Sequence, residues 1–433
     1  MWHLRTENRI MNKYLLSTKV RGLLFFSLLL YFSGPAVVWA GSLTLPSSCD
    51  IDSVRSQKGT STFIYNNNGS SSSLSYNGTI TFTKDERDIK SISPGGFFKY
   101  SKTTFGNSRE IQILSGLDGT LRRRYFVGHT EQAYEPAGRQ WLNEMLPGVI
   151  ATTGIGAEDR VQRIYAKSGL NGVLEEIYKI DNDRVQTIYF SYLFNQPKLK
   201  DTDVRKVLSQ VNRYIDSDYE KGKLLRKIGP RFLQSNKVTP EYLSAVTTMN
   251  SDYEKGKVLS YILQNGKINP DNYAQTISTV SRISSDYEQA KILKQVIANP
   301  ALPDWAYKEV ITQTIKMSSD YEKNRILILL LSKPKVVEQN FDDLLNAIRN
   351  IESDYEKSKA LAYLVAKQKL SAQHYLQVFP VVTDISSSYE KSKTLQRLKT
   401  TMPTDNNEVR AAYLRTAKTI ASDYEYRRVI AGM

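Results

Sequence analysis

The chain has 433 residues, one cysteine, three histidines and a formal net charge of +15. That length suits about two or three domains, and charged and apolar fractions of 24% and 40% exclude an intrinsically disordered chain. The lone cysteine, Cys49, excludes an intramolecular disulfide, and the positive balance favours anionic partners, although solvated helix faces produce the same balance.

Residues 1–40 read as an export signal. A basic section ends at Arg21, an apolar run extends from Leu23 to Phe32, and Gly34-Pro35 precedes Val38-Trp39-Ala40, which suits cleavage after Ala40. The competing reading is an uncleaved anchor, because Gly22 to Ala40 is almost long enough to span a bilayer. Cys49 lies well past the apolar run and makes a poor lipid attachment site. The mature protein is expected outside the cytoplasm, periplasmic or secreted, with no integral membrane span.

Residues 41–72, rich in Ser and Asn, read as a flexible linker with one strand at Thr62 to Tyr65. From Leu74 to Tyr134 the apolar period is two. Asn77-Gly78 has the composition of a hairpin turn, and Phe97 to Thr104, Arg109 to Ser115 and Leu121 to Val127 are further strands. A small antiparallel sheet of about four to six strands is expected over 73–150. Trp141, Leu142, Met145, Leu146, Val149 and Ile150 make the apolar stripe of a helix over 136–150 that can cover one sheet face. Arg122-Arg123-Arg124 is the sheet's basic run and is expected to be a solvated strand rather than an anion contact.

Asp159-Arg160-Val161-Gln162 has a near-copy at Asp183-Arg184-Val185-Gln186, so 151–216 read as degenerate helical repeats. Gly154-Ile155-Gly156 lacks the preceding strand and third glycine of a phosphate loop and reads as a helix entry. From 217 to 433 the repeat is explicit. Ser-Asp-Tyr-Glu-Lys occurs at Ser217, Ser251, Ser285 (with Gln in the last place), Ser319 and Ser353. It returns as Ser-Ser-Tyr-Glu-Lys at Ser387 and Ser-Asp-Tyr-Glu-Tyr at Ser422. Its tyrosines are 34 residues apart, 35 in the last interval. A regular period of that size marks a stacked array.

Ser-x-x-Glu is a capping box, in which the hydroxyl accepts from the third helical N–H and the glutamate reaches back to the serine N–H. The expected pairs are Ser217 with Glu220, Ser251 with Glu254, Ser285 with Glu288, Ser319 with Glu322, Ser353 with Glu356, Ser387 with Glu390 and Ser422 with Glu425. Each opens a helix whose apolar face is exemplified by Val258, Leu259, Ile262 and Leu263. A second helix per period carries Tyr273, Ile277, Val280 and Ile283, repeated as Phe341, Leu345, Ile348 and Ile351. The tetratricopeptide signature residues are missing. The expected fold is therefore α+β, mostly α: a small antiparallel β-sheet followed by an α-solenoid of ~34-residue helix pairs.

Several segments resemble a group of exported bacterial proteins of uncharacterised function. They are Ile92-Ser93-Pro94-Gly95-Gly96-Phe97, Trp141-Leu142-Asn143-Glu144-Met145-Leu146-Pro147 and Thr153-Gly154-Ile155-Gly156-Ala157-Glu158, together with the Ser-Asp-Tyr-Glu-Lys helices. Similar modules are appended to membrane metalloprotease regulators of the penicillin-sensing type. The resemblance covers roughly Ile89 to Met433 and implies no activity, ligand or catalytic residue; the zinc motif of those proteases is absent from this chain.

Chemistry-bearing residues are sparse. Beyond the export segment only His129 and His374 remain as histidines, each expected at a surface or boundary position. No His-Glu-x-x-His, paired Cys spacing or Gly-x-Ser-x-Gly is present. Glu175-Glu176 are helix neighbours that point different ways. No catalytic residue, metal or cofactor is assigned, and the chain is read as a non-enzyme. A glycan hydrolase built on scattered carboxylates is the remaining enzymatic alternative.

The candidate site is a surface. With about 100° per residue, the basic residue four places after each tyrosine falls about 40° from it, on the side away from the apolar face. The pairs are Tyr219 with Lys223, Tyr253 with Lys257, Tyr287 with Lys291, Tyr321 with Arg325, Tyr355 with Lys359 and Tyr389 with Lys393. Stacked, they would form a ladder of rings and cations able to hold an acidic chain, a glycan or an extended peptide. The tyrosine's place in the first turn favours the other reading, that each ring packs on the neighbouring repeat while the lysines solvate the surface. The expected role is non-catalytic binding or scaffolding in the cell envelope, with an extracytoplasmic sensory or regulatory module as the alternative. The partner would be a protein or anionic envelope polymer, and export makes nucleic acid an unsuitable one.

Overall fold

Alternating apolar residues build the N-terminal sheet, seen in a computed structural model that describes residues 53–57, 59–67, 69–232, 237–265, 268 and 270–431. Residues 1–40, read as an export signal or anchor, and Cys49 lie outside the described residues. Strands β1 (Ser53–Gln57), β2 (Thr60–Asn67) and β3 (Ser70–Asn77) come first, then β4 (Ile80–Phe82) and β5 (Ile89–Ile92). The remaining strands are β6 (Phe97–Thr104), β7 (Asn107–Ser115), β8 (Leu121–Val127) and β9 (Thr130–Gln132). Seven pair antiparallel in the order β1-β2-β3-β6-β7-β8-β9, and β4 pairs with β5.

The register sets Phe63, Leu74, Tyr100, Ile111 and Tyr125 side by side across five strands, and all five are buried. Helix α1 (Arg139–Thr153) covers this row, with Trp141 5.8 Å from Tyr100 and 5.9 Å from Tyr125, centroid to centroid. The opposite face carries paired hydroxyls, Thr62 with Ser75 at 3.0 Å and Ser73 with Ser101 at 2.9 Å.

Three expectations are corrected, the first being size: among the described residues the main sheet has seven strands, not four to six. The segment read as a linker contributes β1, β2 and the start of β3, because a sheet with one polar face needs few apolar residues per strand. Asn77-Gly78 is not a hairpin turn: β3 pairs with β2 and β6, while β4 leaves for the two-stranded sheet. Gly78, at φ 88°, makes that exit.

Gly154 and Gly156 form the junction between α1 and α2 (Ala157–Tyr178). Gly154 caps α1 at φ 70° and Gly156 opens α2 at φ 73°. A Cβ on Gly156 would lie 2.5 Å from the Phe82 ring, so this glycine admits the sheet to the start of the helical array.

Helices then alternate. After α3 (Asp183–Phe194) and α4 (Asp201–Tyr214) come α5 (Asp218–Phe232), α6 (Thr239–Thr247), α7 (Asp252–Asn265), α8 (Tyr273–Val280), α9 (Asp286–Ala298) and α10 (Asp304–Lys316). The array continues through α11 (Asp320–Leu331), a short α12 (Pro334–Gln339), α13 (Phe341–Arg349), α14 (Asp354–Lys367), α15 (Ala372–Thr383), α16 (Ser388–Lys399), α17 (Asn407–Ala417) and α18 (Asp423–Ile430). The motif helices α5, α7, α9, α11, α14, α16 and α18 each pack on the next, and the return helices α4, α6, α8, α10, α13, α15 and α17 do the same in a second layer. One continuous apolar core runs between the layers. This is the small antiparallel sheet and α-solenoid that the period predicts.

Candidate functional site

The motif divides into residues that fasten one repeat to the next and one residue that is left exposed. Each motif serine caps its helix, its Oγ accepting from the glutamate N–H three residues on at 3.3–3.4 Å. The reciprocal arm differs from expectation. The serine's own N–H is taken by the aspartate of the preceding repeat. Ser217 donates to Asp183, Ser251 to Asp218, Ser285 to Asp252, Ser319 to Asp286, Ser353 to Asp320 and Ser387 to Asp354, at 2.5–2.9 Å. From Asp218 onward, the same carboxylate also accepts from the residue before the serine, as Asp252 does from Ser284 at 2.9 Å. Where the motif has Ser388 in place of aspartate, its hydroxyl accepts from Ser422 N–H at 3.3 Å.

The glutamate is free of the cap because it is buried elsewhere. All seven, Glu220 to Glu425, are buried, and each pairs with the basic residue three places on, at 2.9–3.6 Å. The carboxylate lies over the small residue of the preceding repeat: a Cβ on Gly222 would meet Glu254 Oε2 at 2.9 Å, and one on Gly256 would meet Glu288 Oε2 at 2.6 Å. Asn324 instead donates its Nδ2 to Glu356. Small size at this place makes room for an acid.

The motif lysine is buried too, at Lys221, Lys255, Lys323, Lys357 and Lys391. Lys255 donates to the Arg282 carbonyl at 2.9 Å, Lys323 to that of Asn350 at 3.2 Å and Lys391 to that of Thr419 at 3.3 Å. These carbonyls follow the next return helix, where its last acceptors are unpaired and a cation is favoured. Burial lowers the Lys221 and Lys391 ammonium groups below the ordinary lysine value despite nearby aspartates.

The tyrosine is left. Tyr219, Tyr253, Tyr287, Tyr321, Tyr355 and Tyr389 are 53–59% exposed, and Tyr424 is 70% exposed. This corrects the reading that the rings pack between repeats. The return-helix aromatics do fill that role: Tyr242, Tyr273, Tyr307, Phe341, Tyr375 and Tyr413 are buried. Tyr242 and Tyr413 donate their hydroxyls to the Leu225 and Val429 carbonyls. A period thus sets at least one interior aromatic of the return helix against the exposed motif tyrosine.

The cations stand beside the exposed rings, as the helical spacing requires. Lys257 lies 4.9 Å from the centroid of Tyr253, Arg325 5.5 Å from Tyr321 and Lys359 5.7 Å from Tyr355. Lys393 lies 5.8 Å from Tyr389 and also 5.6 Å from Tyr355 on the previous repeat. Lys223 and Lys291 hold the same place and pair with Glu220 and Glu288. The ladder extends one rung beyond the pairs read from sequence, through Arg428, 5.6 Å from Tyr424; the same four-residue step was present there.

The ladder stops where the sheet begins. In the degenerate repeats arginine replaces tyrosine: Arg184 lies 4.7 Å over the Phe63 ring, and Arg160 bridges Glu86 and Glu176 at 2.5 and 2.7 Å. In the sheet, Arg123 pairs with Asp88 and Arg124 with Glu131. His129 is exposed in the β8–β9 turn, and His374 stacks on Phe341 at 4.0 Å. Among the described residues, no group of three His, Cys, Asp or Glu side chains could hold a metal ion. No described helix is long and apolar enough to cross a membrane.

Compared with known proteins, the chain matches no family model, no curated protein and no solved structure.

Proposed function

We propose that this protein is a non-catalytic, exported binding or scaffolding protein of the cell envelope, and that it holds an extended partner along the tyrosine–cation ladder. One observation carries the reading. Serine, aspartate, glutamate and lysine of the motif each have a structural role, whereas seven tyrosines recur at the same place with most of each ring in solvent. Solvating a helix does not call for an aromatic ring, and single exposed apolar groups need no explanation, but an aligned series does. Arrayed surfaces of stacked helix pairs suit long ligands, and tyrosine offers contact area at low cost in side-chain entropy.

The N-terminal basic and apolar segment supports export. The test is a panel of envelope glycans, polyanions and extended peptides presented to the protein and to its Tyr287/Tyr321/Tyr355→Ala variant. Binding of at least one polymer that weakens in the variant supports the reading. Equal binding by both proteins, or release of sugar from purified cell wall, contradicts it.

A further inference from the structure

We infer that the ladder takes a polyproline-II segment: a proline-rich extended peptide of low net charge, laid across the motif helices with about one turn per rung. This rests on the reading of the ladder as a binding face and adds the ligand class.

Spacing comes first. One ammonium, that of Lys393, lies 5.6 Å from the Tyr355 ring and 5.8 Å from the Tyr389 ring, so consecutive rungs stand on adjacent packed helices. Such helices lie roughly 8–10 Å apart. A polyproline-II helix rises about 3.1 Å per residue with three residues per turn, so one face recurs every ~9 Å. A β-strand shows the same face about every 7 Å and an α-helix turns every ~5.4 Å; both fall out of step within a few rungs.

Charge points the same way. Every ladder cation already has a buried glutamate beneath it. The rungs themselves therefore carry little uncompensated charge to reward a polyanion, although Arg226 shares Glu254 with Lys257 and Lys294 stands near Arg325; a chain of low net charge suits the rungs.

Hydrogen-bonding capacity is the third match. Lysine and arginine are donors only, and each ladder tyrosine adds a hydroxyl able to donate at an exposed position. A proline segment has no backbone N–H to offer and carries solvated carbonyls that need donors. Donor-rich rungs face an acceptor-only chain, with aromatic rings set between them as in other polyproline-binding grooves.

The full chain is titrated with a fluorescent oligoproline of about eighteen residues, enough for six turns, and in parallel with polyglutamate of equal length and a chitin oligosaccharide. The expected result is oligoproline binding that changes little between low and high salt and weakens about ten-fold or more in Tyr287/Tyr321/Tyr355→Ala. The matching Tyr→Phe variant, which keeps the rings, loses less. Circular dichroism and melting verify that both variants fold. Tyrosine-dependent binding of polyglutamate or the oligosaccharide without oligoproline overturns the ligand class and leaves the binding face standing. Oligoproline binding that is undiminished in the alanine variant, or absent altogether, overturns the inference.

Discussion

The Asp320 carboxylate accepts the backbone N–H of Ser353 at 2.7 Å, 33 residues further along the chain. It also accepts from Glu352 N–H at 2.9 Å and pairs with the buried Lys323 at 3.2 Å. One side chain thus joins its own helix, the next cap and a buried ammonium. Asp320→Ala leaves two backbone donors and a buried cation short of partners, and is expected to destabilise the array by about 1–3 kcal/mol. Asp320→Asn keeps an acceptor and costs less. Urea unfolding measures the loss, and hydrogen exchange at the Ser353 amide locates it.

The packing of Glu288 against Gly256 predicts a size threshold. Ala290 occupies the equivalent place one repeat later and is fully buried, so Gly256→Ala is expected to be near neutral, its better helix propensity offsetting a small shift of the carboxylate. Gly256→Leu has no such room and should cost about 1–3 kcal/mol. Chemical denaturation of the two variants distinguishes steric exclusion from mere flexibility at this glycine.

The buried tyrosines and lysines give the fold a signed alkaline dependence. Lys221 and Lys391 have folded values below the ordinary 10.5 because burial disfavours the charged form. Between those values and 10.5 the unfolded chain holds more protons, so stability rises with pH there. Burial raises Tyr189 to about 12, and raises Tyr242 and Tyr413 as well. Their contribution is full below 10.0 and is lost as pH climbs through the raised folded values. Urea unfolding across the alkaline range should show the rise give way to a fall above about pH 10. Tyr413→Phe should reduce the fall.

The two aromatic rows are expected to respond differently to substitution. Tyr242 is fully buried and donates to the Leu225 carbonyl at 2.6 Å. Tyr242→Phe should cost about 1 kcal/mol for the lost bond, and Tyr242→Ala about 3–5 kcal/mol through the cavity. Thermal melting of both variants checks the order.

The solenoid was legible because its signals are local. Serine and glutamate three apart mark a helix start, and the apolar steps within Ile326 to Leu331 mark its face. The strand at Phe97 to Thr104 was equally plain, since Phe98 and Tyr100 alternate with Lys99 and Ser101. What escaped was determined at a distance. Nothing near Asp252 indicates that its partners are the amides of Ser284 and Ser285, and nothing near Glu254 shows that it lies over Gly222 instead of reaching back to Ser251. Ser70 to Ser72 read as linker because such hydroxyls pair across strands, as Ser70 does with Thr104, and that pairing has no local pattern. The ladder's geometry followed from helical spacing, but its exposure did not. A first-turn tyrosine fits either side of the helix boundary until the neighbouring repeat is in place.

The most direct test sets two adjacent residues against each other. Asp320 and Tyr321 are consecutive, yet one fastens the next repeat and the other is 55% exposed. Melting temperature and ligand binding are measured together for Asp320→Ala and Tyr321→Ala. The account predicts that the aspartate variant melts at least about 2 °C lower, whereas the tyrosine variant stays within about 0.5 kcal/mol of the parent and loses binding. A tyrosine variant destabilised as much as the aspartate variant, with binding intact, would contradict it.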